Sequence, residues 1–169
     1  MPRYRIVPER SQVTIDARSS VHPIHTRTSG LEGFVELTFS DGRVDVGATP
    51  RGRLSLPVDR LRSGNPLEDR ELRRRIDARR FPTIDGELTH LAPIDGDQYL
   101  VGGDLTFRGE TRACEAPMTI SALDESTMQL TGQATFDVRD FGMEPPRILM
   151  LRVYPEVEVS VEIVAARES

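Results

Sequence analysis

Apolar and polar side chains alternate one by one along most of this chain, and that period of two restricts it to β structure. The alternation is clearest on either side of a turn at Arg108-Gly109. Apolar residues at every second position place one face of a strand in a dry interior and leave the other in water. The segment therefore predicts a β-hairpin. Its inward positions are Tyr99, Val101, Leu105, Phe107, Cys114, Ala116, Met118, Ile120 and Ala122.

The same alternation recurs on both sides of this hairpin, with short turns between the segments. Asp41-Gly42 has the residues of a tight turn, a connection with Pro and Gly covers 20–30, and a bend is expected near Pro50. This all-β pattern predicts an antiparallel barrel or sandwich. A lipocalin-like barrel of about eight strands is favoured, because closure removes exposed strand edges. The predicted strands are 3–7, 11–19, 31–39, 44–58, 83–92, 98–108, 111–122, 128–138 and 153–163.

One segment departs from the β pattern and predicts a single short helix over 67–80. Asn65 suits the N-cap and Pro66 the first helical position. Acidic residues then precede arginines, an order that complements the helix dipole. Leu72 and Ile76 are four residues apart, so we expect them to anchor the helix over an open end of the β structure.

Composition excludes several classes of function. The 169 residues suffice for one domain, 1–169, and the net charge of −5 gives no general attraction to nucleic acid. All 22 basic residues are arginine, which excludes a Schiff-base lysine. Cys114 is the only cysteine, so neither an intrachain disulfide nor a thiolate metal cluster can form. No signal peptide or membrane span is visible, so we expect a cytoplasmic protein without stable membrane insertion.

The interior of the predicted barrel is the first candidate for a site. Small inward residues such as Gly33, Gly132 and Ala134 leave space unless larger neighbours fill it, and methionines adapt to irregular apolar partners. A solidly packed core without a cavity is the alternative, and periodicity does not separate the two. The residues predicted to line a ligand are Val13, Ile15, Val35, Leu37, Leu105, Met118, Met128, Phe136, Phe141 and Met143, with His22 and His25 at the mouth.

His22 and His25 are the candidates for metal binding or acid–base chemistry. No acidic or cysteine partner lies at a recognisable ligand spacing, and His90 is the only other imidazole. We therefore favour histidines that bond to backbone or line the barrel mouth, and expect no metal and no cofactor. Six arginines crowd the helix, and we expect a solvated face paired with its acidic residues rather than an anion site. The arginines are Arg70, Arg73, Arg74, Arg75, Arg79 and Arg80, and the acidic residues are Glu68, Asp69, Glu71 and Asp77.

Three motifs occur in a fixed order along the chain. The first motif consists of Ser63-Gly64-Asn65, the acidic start of the helix and Phe81-Pro82-Thr83-Ile84 after it. The second runs from Gly103-Asp104-Leu105-Thr106 through Gly109-Glu110-Thr111. The third is Arg139-Asp140-Phe141-Gly142, which precedes the last strand. With these motifs, residues 4–164 resemble the YceI-like family. The resemblance implies a lipocalin-like barrel that binds a polyisoprenoid.

Together these observations predict a barrel that binds or carries an elongated apolar ligand (an isoprenoid, a quinone or a fatty chain) without catalysis. The first rival is an enzyme on the same barrel that uses His22 and His25 on an apolar substrate. The second is a structural or dimerisation module, in which the Glu-rich last strand or the helix contacts a partner. A homodimer is compatible with all three hypotheses.

Overall fold

The computed structural model describes all 169 residues, and thirteen β-strands and one α-helix follow the alternation of the sequence. The strands are β1 (Arg3–Ile6), β2 (Gln12–Ser19), β3 (Ile24–Thr28), β4 (Glu32–Glu36), β5 (Phe39–Ser40), β6 (Arg43–Val44), β7 (Arg51–Pro57), β8 (Thr83–Asp95), β9 (Gln98–Phe107), β10 (Glu110–Ala122), β11 (Thr127–Asp137), β12 (Arg147–Ile148) and β13 (Leu151–Arg167). The helix is α1 (Pro66–Ile76), and short 3₁₀ turns cover Pro8–Arg10, Val58–Arg60 and Val138–Phe141. No helix is long and apolar enough to cross a membrane.

Eight strands close into an antiparallel barrel in the order β1-β4-β7-β8-β9-β10-β11-β13, and β13 pairs with β1 to complete it. The C-terminal part of β13 makes this closure, from Tyr4 opposite Arg167 to Ile6 opposite Ala165. The N-terminal half of β13 pairs instead with β2, which carries β3 on its other edge. The predicted all-β barrel of about eight strands with one helix is confirmed.

The pairing register turns the predicted apolar faces inward and divides the buried side chains into two groups. Leu130, opposite Ile163, contacts both groups. The group under α1, called here the helix-end core, consists of Ile6, Val13, Leu31, Leu56, Val58, Leu61, Ile76, Met143 and Ile163. The group at the opposite end, called the far-end core, consists of Tyr4, Leu37, Val44, Leu91, Tyr99, Ile120, Met128 and Ala165.

The helix begins and packs as its sequence predicts. The side chain of Asn65 accepts hydrogen bonds from the backbone N–H groups of Leu67 and Glu68, and Pro66 occupies the first turn. Ile76 is a buried member of the helix-end core and Leu72 packs against it, so α1 covers this end of the barrel. Asp77 ends the helix in the left-handed conformation.

Two local predictions were wrong. The connection expected over 20–30 contains β3, whose Ile24, Thr26 and Thr28 are buried opposite β2. The alternation was present there, but Pro23 and Gly30 at its borders resembled the ends of a loop. The single strand expected over 44–58 is broken into β6 and β7, because the side chain of Asp45 accepts from the backbone N–H of Gly47 at 3.0 Å and forms a turn.

Asn65→Ala should lower the free energy of unfolding by about 1 kcal/mol, because two backbone N–H groups at the start of α1 lose their acceptor. Asn65→Ser is the matched control and should keep most of the stability, since Ser is an equally good N-cap. Urea denaturation of the three proteins measures the difference. Equal losses for Ala and Ser would contradict the capping role.

Candidate ligand site in the barrel interior

A gap lies inside the barrel between the two cores, and it is most evident at Gly86. Gly86 faces inward, with Ile84 in contact with the helix-end core and Leu88 in contact with the far-end core. A Cβ atom at Gly86 would meet no heavy atom within 4 Å. The wall of the barrel is therefore not covered by side chains at this level.

The residues around the gap alternate between glycine and larger side chains from strand to strand. Leu54 and Leu105 stand on either side of Gly86 in the pairing of β7, β8 and β9. On the next strand Gly33 faces Leu54, with a φ of +144° that only glycine adopts easily, and a Cβ there would lie 1.9 Å from the carbonyl oxygen of Arg53. Glycine and leucine thus alternate in this row of paired residues around the wall, which leaves room in the middle of the barrel.

A set of inward-facing side chains near the gap is only half-buried and belongs to neither core. β10 and β11 pair only from Met118 opposite Gly132 to Ala122 opposite Met128, so Cys114, Ala134 and Phe136 flank an unpaired stretch between these two strands. The side chains of the set supply an apolar lining, and Arg112, directly opposite Leu105 on the same inward face, adds a charged residue at its exposed edge. The set is Ala17, Leu105, Cys114, Met118, Ala134, Phe136 and Val157.

The far end of the barrel is sealed. The backbone N–H of Val44 donates to the Tyr99 hydroxyl at 2.8 Å, which fixes the β5–β6 hairpin against this end. Met128 and Ala165 are fully buried beside it. The far end therefore offers no path into the gap.

The twelve residues predicted from sequence fall into three groups, and their role in ligand binding stays a prediction. Three face inward and are half-buried, Leu105, Met118 and Phe136, and of these Leu105 is paired directly with Gly86. Seven are buried in the cores or packed against core residues: Val13, Ile15, Val35, Leu37, Met128, Phe141 and Met143. His22 and His25 are exposed. Gly86 and Leu54 were missed, because the alternation of their strands is interrupted by polar residues and glycine.

The two histidines contact different carboxylates. Nε2 of His22 lies 3.6 Å from an oxygen of Glu68 in the first turn of α1. His25 lies on β3 and its Nδ1 contacts the carboxylate of Asp16 on the neighbouring strand. No group of three or more His, Cys, Asp or Glu side chains has the arrangement of a metal site.

The arginines of α1 are less fully paired than expected. Of the four acidic residues, only Glu71 forms ion pairs with them, to Arg74 at 3.3 Å and Arg75 at 2.9 Å. Asp69 is buried and accepts instead from the backbone N–H and hydroxyl of Ser63. The spacing of charges in the sequence did not predict that Ser63, in the loop before the helix, would donate hydrogen bonds to this carboxylate.

A groove of about 610 Å³ lies on the outer face of the barrel, across β2, β10, β11 and β13. Only two of its twelve lining residues are hydrophobic, so it lacks the lining that an apolar ligand needs. Thr14, Thr131, Gln133 and Ser160 are typical of its walls. This groove therefore does not provide an apolar site.

A closed eight-stranded antiparallel barrel with an apolar interior and one covering helix defines a lipocalin-like barrel protein. The family model of the YceI-like domain matches residues 4–165, so this chain belongs to the YceI-like family. This confirms the resemblance carried by the sequence motifs. A comparison with curated proteins gave no match.

Solved structures share the fold across nearly the whole chain. BcnA of Burkholderia cenocepacia is 17% identical with a TM-score of 0.78, covering 95% of this chain and 99% of its own. A polyisoprenoid binding domain from Saccharophagus degradans implicated in plant cell wall breakdown is 11% identical with a TM-score of 0.78, covering 98% of each chain. The YceI protein of Campylobacter jejuni is 12% identical with a TM-score of 0.70, covering 85% of each chain.

The reactivity of the Cys114 thiol tests whether this residue lies in the barrel interior next to the gap. Burial raises the pKa of its thiol, and the nearby Asp104 carboxylate raises it further. We expect N-ethylmaleimide to modify Cys114 slowly at neutral pH, and faster as rising pH forms the thiolate. An apolar ligand in the gap should slow the reaction further, which mass spectrometry of the labelled protein measures. Modification at the rate of the urea-unfolded chain, unaffected by ligand, would show that Cys114 does not face the site.

Proposed function

We propose that this protein binds and carries an elongated apolar molecule (an isoprenoid, a quinone or a fatty chain) inside its barrel, without catalysing a reaction. The observation that carries the proposal is the gap at Gly86, where the inward wall meets no atom within 4 Å. Leu54 and Leu105 beside it are apolar and half-buried. Such a space favours a hydrocarbon chain over water, because it offers water few hydrogen-bond partners.

The energetics favour a long ligand over a short one. Burying a methylene group stabilises by about 0.8 kcal/mol, so one five-carbon isoprene unit contributes roughly 4 kcal/mol at most. Association costs roughly 4–15 kcal/mol in lost freedom of motion. Several isoprene units, or an acyl chain of similar length, are therefore needed before binding becomes tight.

The shared fold supports the same class of ligand. The domain from Saccharophagus degradans, described as polyisoprenoid binding, matches this chain along 98% of its length. At 11% identity the likeness concerns the fold, and the chemistry of the ligand is argued from the lining of this chain. Apart from Arg112 beside Leu105, that lining is apolar from Ala17 on β2 to Phe136 on β11.

Replacing Gly86 with leucine should fill the gap and abolish retention of the ligand. The substitution should not lower the melting temperature, because glycine weakens a strand and the new side chain enters open space. Native mass spectrometry after mild purification measures the lipid-sized adduct. Glu87→Leu is the matched control: it adds the same side chain to the outer face of the same strand and should leave the adduct in place.

Two results would contradict this site. One is an unchanged adduct on Gly86→Leu, which would place the ligand elsewhere. The other is a wild-type protein that carries no adduct and binds no added farnesol or quinone, which would make the gap an empty packing defect.

Joint replacement of His22 and His25 by alanine separates carriage from catalysis. We expect the double variant to retain the ligand as the wild type does, because His22 contacts Glu68 and His25 contacts Asp16 on the exposed surface. The amount of adduct per protein, measured by native mass spectrometry, checks this. Complete loss of the ligand from a folded double variant would instead place an imidazole at the ligand, as the enzyme hypothesis requires.

A further inference from the structure

The hairpin between β12 and β13, residues 147–152, exposes two large apolar side chains at its tip. Leu149 is 88% exposed and Met150 is 92% exposed, the largest values among the exposed hydrophobic residues of the chain. They occupy a two-residue turn, since Ile148 pairs with Leu151 and Arg147 with Arg152. Neither side chain belongs to a buried core.

Turns of the same length elsewhere in this chain each contain a glycine, and Leu149-Met150 does not. These other turns are Asp41-Gly42, Gly96-Asp97 and Arg108-Gly109. Leu149 has a φ of +53°, the value that Asp41 and Arg108 also adopt at the corresponding position. The tip therefore departs from local preference in its lack of glycine and in its two large exposed apolar side chains, as expected of a functional site rather than a simple connection.

The base of the same hairpin is basic. Arg147 and Arg152 lie directly opposite each other, and neither has a carboxylate within 4 Å. Like charges opposite each other on paired strands destabilise the pair, and an external anion would relieve the repulsion. Both residues line a groove of about 360 Å³ that also includes Arg75, Arg139, Tyr154 and the carboxylate of Glu144, which pairs with Arg75. Arg75 and Arg139 form ion pairs within the protein, so Arg147 and Arg152 are the arginines left for a partner.

A neighbouring turn adds to this surface. The backbone N–H of Ser20 donates to the carbonyl of Arg152 at 2.9 Å, and the backbone N–H of Arg152 donates to the hydroxyl of Ser20 at 2.9 Å. These bonds hold Val21, which is 67% exposed, next to the base of the hairpin. The exposed apolar residues at this end thus come from more than one segment.

Exposed apolar residues also occur at the opposite end of the barrel, but their charged surroundings differ. Ile94 precedes Asp95, and Leu123 precedes Asp124 and Glu125. An anionic surface would repel those loops and attract the hairpin at 147–152. The residues next to the exposed apolar side chains are therefore acidic at the far end of the barrel and basic at the 147–152 hairpin, although the net charge of the chain is −5.

From this arrangement we propose that the 147–152 hairpin docks the protein on the surface of an anionic phospholipid bilayer. Leu149 and Met150 enter the interface between headgroups and acyl chains, and Arg147 and Arg152 bind lipid phosphates. Arg75 bonds to Glu144 just before this hairpin, so the docked surface adjoins α1 and the helix end of the barrel. On the proposed function, an apolar ligand would then pass between bilayer and barrel without crossing water.

Replacing the tip with the pair Leu149→Gly and Met150→Asn tests the proposal without endangering the fold, because this pair is preferred in such a turn. The full-length wild type should co-sediment with vesicles of equal parts phosphatidylglycerol and phosphatidylcholine, and bind less at high salt. The tip variant should bind at least about tenfold more weakly, since two side chains lose their apolar burial. Arg147→Gln and Arg152→Gln should each weaken binding by about fivefold.

The matched control is the pair Ile94→Asn and Leu123→Asn, which removes apolar surface from the acidic end and should leave vesicle binding unchanged. Three outcomes would overturn the proposal: no binding by the wild type, equal binding to vesicles of phosphatidylcholine alone, or unchanged binding by the tip variant. A fourth outcome, measured by light scattering after size exclusion, would also overturn it: the wild type is a dimer that binds no vesicles, and the tip variant is a monomer. That outcome would show that the hairpin binds a second copy of the chain instead of a bilayer.

Binding of farnesol from aqueous solution separates this proposal from the proposed function. The tip variant should bind farnesol as the wild type does, because residues 147–152 do not line the gap. Loss of vesicle binding with farnesol binding intact supports the docking role. Vesicle binding by a protein that takes up no farnesol would leave docking in place and overturn carriage.

Discussion

The rest of the structure depends on the pairing of β13 with two neighbours along one of its edges. Its 17 residues pair with β11 on one side, and on the other with β2 first and with β1 afterwards. The change from β2 to β1 joins the first strand of the chain to the last and closes the barrel. Closure creates an interior that side chains from eight strands must fill.

They fill it unevenly, and this links the fold to its proposed function. Buried side chains gather at the two ends, one group under α1 and the other against the β5–β6 hairpin. Between them glycines alternate with leucines, and Gly86 leaves a stretch of wall uncovered. A closed barrel tolerates such a gap because its backbone hydrogen bonds hold the wall whether or not the middle is packed. In the proposed function, binding of a hydrocarbon chain in the space would offset the stability lost to incomplete packing.

Much of the fold could be predicted from local pattern. The alternation around Arg108-Gly109, the cap at Asn65 and the contact of Leu72 and Ile76 with the barrel all depend on residues close in sequence, where local preference is strong. The failures occurred where local signals were ambiguous. β3 was assigned to a loop because Pro and Gly border it, and Asp69 was expected to pair with arginines although the preceding loop binds it. Leu149 was not singled out, because its exposure depends on how a short hairpin leaves the barrel.

The sequence by itself determined the strand faces, the helix with its cap, the tight turns and the family. Each of these depends on a period of two or four residues or on a short motif, and such signals do not need the rest of the chain. Only the tertiary structure decided which strands meet, that the far end is sealed by Val44 and Tyr99, and that Gly86 faces empty space. The physical reason is that alternation specifies the direction in which a side chain points. What it meets there depends on side chains from strands far away in sequence.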